Sequence, residues 1–159
     1  MQLTPRSLAA LALVLSLAIV GFVLFSQYGQ GYEPCELCLR ERLPWYAVIA
    51  VALIGTIFPS RWFVLLIAVL LLVSAGLGGH HSGVEQHWWP GPTACTGSGT
   101  SGASSVDELR AMMMHQKVVQ CDAISWTFLG LSMATYNFLV SLIAGLALLA
   151  LALRGRHAR

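Results

Sequence analysis

Four apolar runs, each too long and too poor in charge for the surface of a soluble helix, constrain this chain more than any other feature. Residues 8–25 carry no charge and are interrupted only by Ser16 and Gly21, and further runs cover 43–58, 62–77 and 133–153. Crossing a bilayer takes roughly 20 such residues, with about 17 tolerated. The two middle runs are short alone, but the tight connection Phe58-Pro59-Ser60-Arg61 makes them a helical hairpin, so the second helix should begin a turn or more before residue 43. Hydrophobic residues make up 57% of the 159, and charged residues only 10%, against about 25% in soluble domains. The expected fold is therefore an all-α membrane protein. It is a four-transmembrane-helix bundle forming one integral domain over 1–159, with spans at about 8–26, 40–58, 62–79 and 133–153.

Charge placement orients the bundle. With both termini cytoplasmic, that side holds Arg6, Arg61, Arg154, Arg156 and Arg159, while all seven acidic residues fall on the other side. Arg40, Arg42, Arg110 and Lys117 also lie outside, so the balance agrees with the positive-inside rule only when Arg40 and Arg42 are set aside as part of a chemical motif. Arg6 ahead of an apolar run resembles a signal peptide. The run is longer than a usual signal core, however, and residues 25–28 offer no small-x-small cleavage site. The net charge of +2 is small and its basic residues scattered, which argues against a nucleic-acid partner.

Two loops then face away from the cytoplasm, at about 27–39 and 80–127, and together they hold all four cysteines. The second loop contains a Gly/Ser-rich linker at 97–105, followed by Ser105-Val106-Asp107-Glu108, which reads as a capping box. Val106, Leu109, Met112 and Met113 repeat at helical spacing after it. A short amphipathic helix lying on the lipid surface is expected there, because so Gly- and Ser-rich a loop can build little core of its own.

Of the three pairings open to four cysteines, proximity favours Cys35 with Cys38 and leaves Cys95 with Cys121. Structural stapling is the commonest use of exported cysteines. A C-x-x-C bridge closes so small a ring that it constrains an unfolded chain little, and its commoner use is thiol–disulfide exchange. Pro34-Cys35 stands where the second helix should start. The unpaired N–H groups and positive end of a helix favour thiolates at Cys35 and Cys38. Arg42, four residues after Cys38, shares its helical face and could stabilise that thiolate or hold the carbonyl oxygen of an electron-accepting ring. Interfacial snorkelling would also account for it. His80, His81 and His87 with the cysteines could supply zinc ligands in kind. Only one pair has metal-like spacing, so no metal is expected. Trp45, Tyr46, Trp88 and Trp89 read as interfacial anchors, or as rings that could cover a planar ligand, and Asn137 as an interhelical hydrogen-bonding residue.

The stretch Cys35-Glu36-Leu37-Cys38-Leu39-Arg40-Glu41-Arg42 resembles the signature of the DsbB (disulfide bond formation protein B) family. So do Gly91-Pro92-Thr93-Ala94-Cys95, Cys121-Asp122 and residues 126–133, and the likeness extends over nearly the whole chain. It implies a disulfide-generating thiol:quinone oxidoreductase of the bacterial inner membrane, with periplasmic loops and both termini cytoplasmic. A DsbA-like thioredoxin-fold dithiol protein would attack Cys95 and release Cys121, which would in turn attack Cys35. Cys38 would then stand as a thiolate beside ubiquinone or menaquinone, held by Arg42. The family also places a histidine against the quinone; His81 is the first choice, with His80 and His87 as alternatives. Two other readings compete. A vitamin K epoxide reductase-like enzyme would carry its C-x-x-C near the fourth span, and a non-enzymatic membrane protein would use its disulfides only to staple loops.

Overall fold

The computed structural model describes residues 4–92, 105–107, 120–124 and 126–154. Four long helices account for most of them: α1 Pro5–Tyr28, α2 Glu36–Ile57, α3 Arg61–Glu85 and α4 Met133–Arg154. Helices α1, α3 and α4 are long and apolar enough to cross a membrane, and α2 completes the bundle beside them. The chain is thus a mostly helical, multi-pass membrane protein.

Local chemistry sets the helix ends. Thr4 caps α1 by accepting from the Ser7 N–H, with Pro5 in the first turn, where its missing N–H costs nothing. Ser60 caps α3 by accepting from the Trp62 N–H, and Cys35 caps α2 with its sulfur, which accepts from the Cys38 N–H. Arg6 donates to the Thr56 carbonyl at 2.8 Å, tying the start of α1 to the end of α2. Arg61 lies over the ring of Trp62 at the same end of the bundle. The opposite end gathers Cys35, Cys38 and Cys121.

The core runs between these ends as small and branched residues, with Ala9, Val48, Ala52, Ile67 and Ala68 fully buried. Helix α2 presents a buried stripe of Glu41, Trp45, Val48, Ala52 and Gly55 at alternating spacings of four and three. That is the periodicity of one helical face, and it holds even though Pro44 lies inside the helix. Helices α3 and α4 pack most intimately. A side chain at Gly78 would put its Cβ 2.9 Å from the Phe138 backbone nitrogen, so only a glycine lets the two backbones meet there.

Helix α3 runs further than its sequence suggests. His80 and His81 were expected to open the second loop, but the helix continues to Glu85. Gly78 and Gly79 lie within it and form a contact surface against Phe138. Just before α4 the helical fold carries one small hairpin. Strands β1 Thr127–Phe128 and β2 Leu131–Ser132 pair antiparallel around Leu129 and Gly130, whose φ angles are 50° and 79°. Positive φ at both central positions is the turn that matches strand twist in a two-residue hairpin. Ser105 leads into helical Val106 and Asp107. The rest of the expected amphipathic helix, 108–119, lies outside the described residues.

Candidate functional site

A cavity of about 440 Å³ opens at the cysteine end of the bundle. That is within the usual range for small-molecule sites of about 300–1,000 Å³. Its walls are mainly apolar, with Ile19, Phe22 and Val140 among them, and Cys38, Arg42 and His81 project a few polar groups into it.

Cys35 and Cys38 are free thiols, with sulfurs 2.8 Å apart. Cys35 is buried, while Cys38 is half-buried beside the cavity. Cys35 Sγ collects three neighbours able to donate: the Cys38 thiol, the Cys38 backbone N–H at 3.2 Å, and His81 Nε2 at 3.6 Å. The Cys38 thiol is the strongest influence on it. Burial opposes, and the His81 and backbone contacts assist, so that Cys35 is lowered from the ordinary 9.0 to about 4. Its position as N-cap adds the positive end of α2. Within this dithiol the charge therefore belongs on Cys35. Cys121 is disulfide-bonded and packs in one buried cluster with Cys35, Leu37 and Val84, with Cys38 against it. Cys95, the remaining expected redox cysteine, lies outside the described residues.

Arg42 lines the cavity. One guanidinium nitrogen, Nη1, donates to the Gln27 side-chain oxygen at 2.5 Å, whereas Nε is buried with no hydrogen-bond partner among the described residues. A buried donor left without an acceptor costs about 1–3 kcal/mol, so a carbonyl oxygen entering the cavity would satisfy a standing need.

The three histidines separate clearly. His81 is only 3% exposed and points at Cys35, whereas His80 and His87 are exposed. His80 stacks on Trp89, whose indole N–H donates to the His80 carbonyl at 2.9 Å. His81 shares its helix with Glu85, yet its carboxylate partner is Glu41 on α2, with Nδ1 2.5 Å from Oε1. Glu85 accepts instead from the Ser132 hydroxyl, which is linked through Thr135 to Ser82. Cys35, Cys38 and His81 also place three metal-capable atoms within 4.8 Å of one another, an approach that spacing alone did not foretell.

Glu41 is the residue that sequence reading missed. It is 8% exposed, and its second oxygen accepts from the Asn137 amide at 2.6 Å. Asn137 accepts in turn from the Trp45 indole N–H at 2.8 Å and from Ser141 at 3.1 Å. Its expected interhelical role is met, while Trp45 is a buried partner in this network and not an interfacial anchor. The signal for Glu41 was a carboxylate at the head of the apolar stripe that continues through Trp45 and Val48.

Comparison with known proteins places this geometry in context. The family model for Disulfide bond formation protein DsbB matches residues 5–152. The chain is similar to the Disulfide bond formation protein B of Polaromonas sp. strain JS666, with 31% identity over 98% of this chain and 94% of the relative. The protein of that name from Acidovorax sp. strain JS42 is 32% identical, covering 95% and 89%, and that of Acinetobacter baumannii 31%, covering 86% and 84%.

Proposed function

The chain belongs to the DsbB family of disulfide bond formation membrane proteins, and from that premise we propose that it is a protein-disulfide:quinone oxidoreductase. It reoxidises a DsbA-like dithiol protein of the periplasm and passes the electrons to ubiquinone or menaquinone in the bacterial inner membrane. In this reading all four helices span the bilayer, both termini are cytoplasmic, and the cysteines face the periplasm. The observation that carries it is the coincidence of an exchange-competent dithiol with an apolar cavity lined by a cationic donor, Arg42 Nε, that has no partner among the described residues.

The order of exchange follows from access. A soluble thiolate needs a sulfur in the loop, and Cys95 serves, releasing Cys121 as the bond between them opens. Cys121 shares a buried cluster with Cys35, so its attack there needs no long excursion. Each such step forms one S–S bond and breaks another, with the leaving sulfur carrying the electron pair. Resolution returns the electrons to Cys35 and Cys38 as a dithiol, which is the state of that pair described above.

The quinone, when bound, accepts the two electrons and two protons given up as the Cys35–Cys38 disulfide reforms. Arg42 would hold a ring oxygen, Cys38 would face the ring from the half-buried position, and His81 would lie behind the pair. The apolar wall would exclude water and admit a lipid-soluble ligand laterally.

Thiol trapping tests the proposal. With reduced partner and quinone supplied in turn, Cys35 and Cys38 are expected to alternate between blocked and alkylatable forms. Disulfides that stay inert through both additions would instead support a protein that only staples its loops.

A further inference from the structure

We propose that His81 accepts the proton of the Cys35 thiol, and that Glu41 is the positioning residue that makes it able to, its own orientation fixed by Asn137 and Trp45. The inference rests on the dithiol oxidation proposed above and assigns the proton handling within it.

The far end of the network sets the first constraint. An indole N–H can only donate. Trp45, 3% exposed and directed at Asn137, therefore requires the Asn137 carbonyl to face it at 2.8 Å. The Asn137 NH₂ group must then point the other way, where it meets Glu41 Oε2 at 2.6 Å. Glu41 is obliged to accept on that oxygen. Its other oxygen lies 2.5 Å from His81 Nδ1. An ionised carboxylate accepts on both oxygens, so Nδ1 carries the hydrogen. In the neutral ring that leaves the lone pair on Nε2, and Nε2 is the atom that faces Cys35 Sγ at 3.6 Å. One donor-only group on α2 thereby sets the tautomer of a histidine on α3.

The chemistry balances simply. The Cys35 S–H bond breaks, an N–H bond forms at His81 Nε2, and the electron pair stays on sulfur. The product is a thiolate facing an imidazolium whose second N–H rests on the Glu41 carboxylate. When Cys35 and Cys38 close to a disulfide, two S–H bonds have been lost and one S–S bond gained. Quinone takes the two electrons and two protons, and His81 returns to its neutral form. The site is buried at both ring nitrogens, so water is a poor substitute acceptor there. The low-lying Cys35 thiolate described above agrees with this arrangement. Other titratable or charged groups around the cavity are Tyr32, Glu33, Cys38, Arg42, Glu85 and Tyr136, together with the Glu41–His81 pair itself.

The full-length protein in detergent, reduced and stripped of quinone, provides the test. Thiolate ultraviolet absorbance is followed against pH, the profile of Cys35→Ser is subtracted to remove the tyrosine background, and the acidic limb is read as Cys35. Wild-type protein should keep Cys35 as thiolate well into the acidic range. Glu41→Gln retains size but puts a donor against the Asn137 NH₂ group and removes the negative charge. The Cys35 thiolate population at pH 6 should fall by about tenfold, the drop that follows if the Cys35 midpoint rises to about one unit above that pH. Glu41→Asp should recover part of it, and nitrogen NMR of the reduced protein should show His81 as an imidazolium in wild type and as a neutral ring in Glu41→Gln. Asn137→Leu, which removes the donor to Glu41 and keeps the charge, should shift the profile the same way by less. It decides the matter if Glu41→Gln does not fold. A Glu41→Gln or Asn137→Leu profile that superimposes on wild type overturns the assignment, even where quinone turnover is normal. A Glu41-dependent profile in a protein that never reduces quinone leaves the proton assignment standing and sinks the quinone reading alone.

Discussion

Replacing Arg42 with methionine separates ligand binding from everything else the residue does. The substitution keeps an apolar stem of similar length and removes the guanidinium. Among the described residues that group donates to Gln27 and leaves Nε buried without a partner. Deleting it loses the first, worth about 1.5–3 kcal/mol for a charged donor, and relieves the second, a penalty of about 1–3 kcal/mol. Stability should therefore change by no more than about 1–2 kcal/mol, and it can rise. The effect on quinone should be larger. A hydrogen bond from a charged donor to the ring oxygen contributes about 1.5–3 kcal/mol, which corresponds to a loss of about 10- to 150-fold in affinity. The assay is quinone reduction in proteoliposomes across a range of quinone concentrations. In parallel, the rate at which reduced partner opens the disulfide of Cys121 should be measured without quinone. The account requires the apparent quinone KM to rise by at least about tenfold while partner exchange stays within about twofold. An unchanged KM, or equal losses in both reactions, would refute the role given to Arg42.

Other outcomes follow from the same geometry. A dithiol partner lacking its resolving cysteine should attack the Cys95–Cys121 bond and stay as a mixed disulfide on Cys95, visible on a non-reducing gel, with Cys121 released; failure to isolate that species would contradict the proposed order. The Cys35 thiolate should titrate near pH 4 in the quinone-free dithiol. Because its folded value is depressed, the stabilising contribution is present above the ordinary thiol range and fades as pH falls towards 4; a midpoint near 9 would show that the donors around Cys35 do not act as described. Gly78→Val should destabilise the α3–α4 contact by about 1–3 kcal/mol through overpacking, since even a Cβ meets the Phe138 backbone at 2.9 Å. Denaturant titration of helicity would detect this, and a neutral result would mean that the two helices do not approach so closely.

The sequence made the helices legible because lipid demands long apolar runs; four long helices form, three of them long and apolar enough to cross a membrane. It also led to Cys35, Cys38 and Arg42, whose spacing on one helix start is local information. What stayed hidden was long-range. His81 and Glu41 are 40 residues apart, and nothing in either segment says that they meet. Glu85, four residues from His81, looked the better partner by helical proximity, yet Ser132 from the hairpin engages it. Trp45 read as an interfacial ring because aromatic residues near span ends usually are, and only its contact with Asn137 reveals a buried donor.

The most direct measurement is the stoichiometry of quinone loss in purified protein embedded in lipid, followed anaerobically as reduced dithiol partner is added. One quinone consumed for each partner disulfide formed, and none in Cys38→Ser, is the result this account predicts. Partner oxidation without quinone loss, or quinone loss that persists unchanged in Cys38→Ser, would contradict it.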